Sequence, residues 1–201
     1  MSGGTNTNGT VFKITPTGTL TTLHSFNGTT DGATPAAGLV QATNGDFYGT
    51  ASSGANGYGT VFKITPSGTL TTLYRFCHQT HCPDGATPYA GLVQDTTGDF
   101  YGTTSEGGSN NDGTVFRLSV GLGPFVKPRP PYGKVGAAVK ILGTNLTGAA
   151  SVSFNGTAAV FTVVSPSLIT TTLPAGASSG KVQVVTPSGT LSSNASFLVV
   201  P

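Results

Sequence analysis

Apolar residues come in runs of two to five along the whole chain, divided by Gly, Pro, Asn and Thr, the spacing of short strands joined by tight turns. Over residues 37–76 the pattern can be followed strand by strand. AGLVQAT (37–43) leads through the hairpin signal Asn44-Gly45 into DFYGTAS (46–52), and the Gly-rich SGANGYG crosses to TVFKIT (60–65). Pro66-Ser67-Gly68 then turns the chain into LTTLYRF (70–76). The pattern predicts a four-stranded antiparallel meander. Val61 with Phe62 and Ile64, and Leu73 with Tyr74 and Phe76, put apolar groups on both faces, unlike the one-sided alternation of a half-solvated sheet. Both faces therefore need a cover, which stacked sheets supply.

The meander is one copy of a repeat. VFKITPTGTLTTL at 11–23 returns as VFKITPSGTLTTL at 61–73, DGATP at 31–35 returns at 84–88, and GDFYGT at 45–50 returns at 98–103. The offset grows from 50 to 53 and then 54, because CHQTHCP replaces NGTT and one residue is added near SEGGSNND. A period near 50 that absorbs insertions between strands has the length of a propeller blade, not of a helical solenoid unit. Two strands of a first unit, four of a second and three of a third make nine, short of the roughly four to eight blades that close a propeller. The expected fold is all-β: an open stack of propeller-like four-stranded antiparallel blades, in a chain that is a fragment of a longer protein.

Beyond residue 130 the repeat is gone. Short strands are predicted at 138–142, 151–154, 158–164, 168–173, 181–186, 189–193 and 196–200, a set that suits a β-sandwich with Phe154, Phe161 and Phe197 in its core. Between the halves lies GLGPFVKPRPPYG (121–133), where Pro128, Pro130 and Pro131 favour a stiff extended segment. The expected division is a repeat region over 1–120, a linker over 121–131 and a sandwich over 132–201.

Composition narrows the class. With 30 Gly, 13 Pro and 34 Thr among 201 residues and only 8% charged, an all-helical protein is ruled out. Nothing approaches the roughly 18–20 apolar residues of a membrane-spanning helix, so no membrane insertion is expected. The residues after Met1 show neither the basic start nor the apolar stretch of a leader. A net charge of +2 is too small for a nucleic-acid footprint. It is unevenly placed: all seven acids precede residue 123 and leave that part at −3, whereas five basic residues and no acid follow.

Chemistry is sparse. Cys77-His78-Gln79-Thr80-His81-Cys82 holds both cysteines, and two sulfurs with two nitrogens are a structural-zinc ligand set. Four ligands within six residues lack the separated knuckles of such sites, so a disulfide between Cys77 and Cys82 pinning an inserted loop is the preferred reading over zinc or free thiols. Asp31-Gly32 and Asp84-Gly85 could ligate calcium, but the alternating Asp and Asn of a calcium loop are missing and a turn explains them. Tyr48 and Tyr101 read as blade-core aromatics rather than sugar platforms, and Asp46 and Asp99 as turn residues. His24 stands where the next repeat has Tyr74, which argues against catalysis. No serine sits in a nucleophile elbow and no carboxylate pair stands out. No catalytic, metal or cofactor residue is therefore expected; Asp31, Asp84, Glu106 and Asp112 remain as candidate ligand-loop positions.

The FYGT…GTVFK.TP.GTLT core, present twice with a third partial copy ending at Phe116-Arg117, resembles the GloVer repeat family over residues 9–119. That family consists of tandem repeats of unknown biochemical role in long bacterial surface or exported proteins. The G-x-x-V-x-I-x-G-T-N-L opening, SVSFNGT, LPAG and closing SNASFLVV are similar to IPT/TIG domains, immunoglobulin-like sandwiches common in bacterial surface proteins, over residues 124–201. The resemblance implies a non-catalytic extracellular or cell-surface protein for adhesion or for binding polysaccharide or protein, its leader lost by truncation. The alternative is an accessory part of a secreted carbohydrate-active enzyme whose catalytic residues lie outside this chain. Expected partners are anionic surface polysaccharide, through the basic half, and further copies of the chain, through uncovered blade faces.

Overall fold

The computed structural model describes residues 3–54 and 56–201, and among these the chain is strand and turn with no helix. It divides into two compact units, Met1–Gln94 with Phe100–Leu118, and Asp95–Asp99 with Ser119–Pro201.

Unit one holds three antiparallel sheets. The first pairs β1 (Thr10–Ile14) with β2 (Leu20–Ser25). The second runs in order β3 (Val40–Gln41), β4 (Phe47–Ala51), β5 (Thr60–Ile64) and β6 (Leu70–Arg75), and the third β7 (Val93–Gln94), β8 (Phe100–Thr103) and β9 (Val115–Leu118). These are the nine strands of the repeat pattern, distributed two, four and three. Repeated sequence gives repeated detail. The β1–β2 and β5–β6 ladders carry the same bulge, between Val11 and Phe12 and between Val61 and Phe62. Both turns are closed alike: the Thr15 and Thr65 hydroxyls accept the Thr19 and Thr69 amides at 3.0 Å.

The FYGT motif is explained by what lies across the ladder. Gly49 faces Phe62 and Gly102 faces Phe116, and each ring lies over its glycine. A methyl group on Gly49 would come within 2.9 Å of the Phe62 ring and 2.5 Å of Leu39. The sheets then stack through their apolar faces. Val11 and Phe26 pack with Phe62 and Ile64, Phe26 meeting the Phe62 ring edge-on at 5.2 Å. Tyr48 stacks on Phe100 at 4.3 Å and Phe76 meets Phe116 at 5.0 Å. Polar contacts pin the same seams: Thr34 N donates to Asn8 O and Thr87 N to Tyr58 O, each at 2.8 Å.

Unit two is an immunoglobulin-like sandwich. Its strands are β10 (Lys127–Arg129), β11 (Tyr132–Gly133), β12 (Ala138–Leu142), β13 (Ser151–Phe154), β14 (Thr157–Ala159), β15 (Phe161–Ser165), β16 (Leu168–Thr172), β17 (Val182–Thr186), β18 (Gly189–Ser192) and β19 (Leu198–Val199). Four-stranded sheets β10-β12-β16-β15 and β14-β13-β17-β18 enclose the core, and β11 pairs in parallel with β19. Period-two alternation decides which side chains face inward. Val139 and Ile141 of β12 and Val182 and Val184 of β17 are buried with Phe154 and Phe197, whose rings meet edge-on at 5.1 Å. Phe161 is only half-buried against this core.

Three sequence expectations change. Residues 125–129 are not linker: Phe125 and Val126 are buried and Lys127–Arg129 is a strand. Pro128 fits there because β10 is an edge strand, where a missing N–H leaves no ladder bond unmade. The run at 158–164 divides at Val160, which is 89% exposed, and β14 and β15 join different sheets. The Asp95–Asp99 turn, between two strands of unit one in sequence, belongs to unit two. There Thr96 O accepts the Phe125 amide at 3.0 Å, and the Thr96 and Thr144 hydroxyls bond at 2.7 Å.

Candidate functional site

The DGATP loops put Asp31 and Asp84 at equivalent repeat positions, and both carboxylates are engaged within the chain. Asp31 is buried, accepts the Asn27 amide at 2.9 Å and bonds His24 Nε2 at 2.8 Å. Asp84 accepts the Cys77 amide at 3.0 Å and the Tyr74 hydroxyl at 2.8 Å. His24 and Tyr74 thus perform one task in successive repeats: each holds the aspartate that closes the following loop. Partial burial, the hydrogen bond to Asp84 and that carboxylate's charge push the Tyr74 phenol from 10.0 up to about 12.

Cys77 and Cys82 are joined as a disulfide, with Cα atoms 4.1 Å apart. Cys82 O accepts the amides of Gly85 at 2.9 Å and Gly108 at 2.8 Å, tying this loop to the long loop of the third repeat. Glu106 exchanges backbone bonds with Ala86, while its side chain and that of Asp112 are exposed. The loops of Asp84 and Glu106 therefore adjoin, and Asp31 lies in the equivalent loop one repeat earlier. Among the described residues no group of three or more His, Cys, Asp and Glu side chains is placed to hold a metal ion. Tyr48 is 2% exposed beneath Phe100, whereas Tyr101 is 37% exposed. A cleft of about 370 Å³ lined by Tyr74, Phe76, Pro83, Asp84 and β9 opens beside β9, the last strand of a sheet that lacks the fourth strand β6 provides in the second sheet.

A second cluster lies on the outer face of the β10-β12-β16-β15 sheet. Arg129 is directly opposite Lys140, Lys140 opposite Thr170, and Thr170 opposite Thr162. The register thus sets two cations and two hydroxyls in one row across four strands, spaced about 4.8 Å apart. Lys127 shares this face. Its pKa is lowered by burial and then by the charge of Arg129. The positive charge of this half is visible in the sequence, but the row is not: alternation over 138–142 turns Lys140 outward, whereas Arg129 lies in a Pro-rich stretch that carries no strand pattern.

Stacked antiparallel repeat sheets of two, four and three strands with a period near 50, followed by an immunoglobulin-like sandwich, define a β-repeat protein with an appended sandwich domain. The Gloeobacter/Verrucomicrobia repeat model matches residues 1–157, and the chain belongs to that family. The IPT/TIG domain model matches residues 127–199, in agreement with the sandwich. No curated protein matches the sequence. The crystal structure of the gamma-CGTase from alkalophilic Bacillus clarkii is similar at a TM-score of 0.34 and 19% identity, over 77% of this chain and 24% of that one. The chain therefore spans about a quarter of that structure's length. No helix of the described residues is long and apolar enough to cross a membrane.

Proposed function

We propose that this chain is a non-catalytic binding module of an extracellular or cell-surface protein, and that the basic face of its sandwich holds anionic polysaccharide. The Arg129–Lys140–Thr170–Thr162 row carries this reading. Like charges set directly opposite across a ladder cost stability, and a bound polyanion removes that cost. Lys127, whose charge is disfavoured by burial and by Arg129, gains in the same way. The neighbouring hydroxyls offer donors and acceptors to sugar oxygens. On the repeat side Asp31 and Asp84 accept backbone amides and so support their own loops.

Affinity electrophoresis through gels containing polygalacturonate, with dextran as the neutral control, tests the proposal. Polygalacturonate is expected to retard the protein and dextran to leave it unaffected. The retardation should fall as salt rises, because surface attraction is screened within a Debye length of about 8–10 Å. Arg129→Gln with Lys140→Gln should weaken binding by on the order of tenfold or more. Retardation that ignores both substitutions would remove the face from the reading. Release of reducing ends from any polysaccharide in a panel would overturn the non-catalytic assignment.

A further inference from the structure

Every sheet of unit one has a leading face, turned toward the preceding repeat, and a trailing face, turned toward the next. The repeat shows what covers each. On the leading face of the second sheet Phe62 and Ile64 are 0% exposed, packed beneath the first sheet. Their equivalents on the first sheet, Phe12 and Ile14, are 54% and 61% exposed, and Leu20, across the ladder from Ile14, is 56% exposed. The trailing faces mirror this. Val61 and Tyr48 of the second sheet are 1% and 2% exposed, with Tyr48 covered by Phe100. Their equivalents on the third sheet, Val115 and Tyr101, are 78% and 37% exposed, and Val93, across from Tyr101, is 63% exposed. One end of the stack thus displays the side chains that bury a trailing face, and the other end displays a trailing face.

We infer that the occupant of each end is the opposite end of a second copy of this chain, the third sheet of one molecule seating on the first sheet of the next. The contact continues the sheet-on-sheet packing inside the unit, with Val115 meeting Phe12 and Ile14 as Val11 meets Phe62 and Ile64 between the first and second sheets. It is heterologous, joining two different surfaces, so each copy that binds leaves a free end, and growth proceeds to linear chains or closes in a ring. Apolar residues this exposed and contiguous on a sheet face mark an interaction surface rather than scattered surface hydrophobes.

Two variants test this on the full chain. Val115→Lys blocks the trailing end and leaves the leading end intact; Ile14→Lys does the converse. Both positions are exposed, and circular dichroism verifies that each variant keeps the fold. In sedimentation velocity the unmodified protein should form species beyond the dimer as concentration rises, and each variant alone should stay monomeric. An equimolar mixture of the two should form a dimer and nothing larger, since one usable end remains on each partner. A monomeric unmodified protein at all concentrations overturns the inference. So does association that persists in either single variant, or a mixture that remains monomeric.

Discussion

His24 and Tyr74 are chemically unlike, yet each reaches across its loop to the aspartate of the next DGATP motif, at 2.8 Å in both cases. What the repeat preserves is the hydrogen bond, not the group that makes it. His24→Tyr is therefore expected to leave stability nearly unchanged, whereas His24→Ala should cost about 1 kcal/mol in denaturant unfolding. Asp31→Ala should cost more, about 1–3 kcal/mol, because Asp31 is buried and serves the Asn27 amide as well. Equal losses for His24→Tyr and His24→Ala would mean that only the imidazole can do this work. Tyr74 carries a pH signature. Its folded-state phenol ionises near 12, against 10.0 when unperturbed. Between these values the unfolded chain has lost a proton that the folded chain keeps, so stability falls as pH rises through that window. Unfolding measured across it should show a steeper decline for the unmodified protein than for Tyr74→Phe, and matching slopes would contradict the assignment.

At the scale of strands and turns, the repeat motif is a packing instruction. Gly49 and Gly102 are small because Phe62 and Phe116 lie over them from the neighbouring strand. Gly49→Ala forces the Phe62 ring and Leu39 to move, and a loss of about 1–3 kcal/mol is expected, the usual range for overpacking a filled core. An alanine tolerated without loss would show that the ring has room to shift. The Cys77–Cys82 bridge closes a short loop, so replacing both with serine should cost only about 2 kcal/mol. Intact mass should fall by two hydrogens relative to the reduced chain. The strands of both units were legible in the sequence because turn residues punctuate them and the repeat shows each pattern more than once. Lys127–Arg129 was not, since a Pro-rich stretch reads as linker until a neighbouring strand makes it an edge. The role of Asp31 and Asp84 was half legible: the turn reading of Asp-Gly was available, but not the side chains that hold it.

At the scale of the whole molecule, chain order and folding unit part company at Asp95–Asp99. The two acids of that turn move with the sandwich, so unit one carries five acids against four basic residues and unit two five basic residues against two acids. The charge contrast between the units is milder than a split at residue 123 suggests, and the basic character of unit two resides mainly in its outer sheet face. A linear pattern cannot show this, because the bonds that claim the turn run to residues 29 and 48 positions later, Thr96 O to the Phe125 amide and the Thr96 hydroxyl to that of Thr144. Thr96→Ala removes the second bond and leaves the β7–β8 ladder of unit one untouched. It should destabilise unit two by about 1 kcal/mol. Native-state hydrogen exchange locates the effect, since amides report the opening of the cooperative unit that contains them. Exchange should quicken at Val139 and Ile141 of β12 and at Val182 and Val184 of β17, with protection unchanged at Phe62 and Ile64. Faster exchange at Phe62 and Ile64, with the sandwich unaffected, would return the turn to the unit in which its sequence neighbours fold.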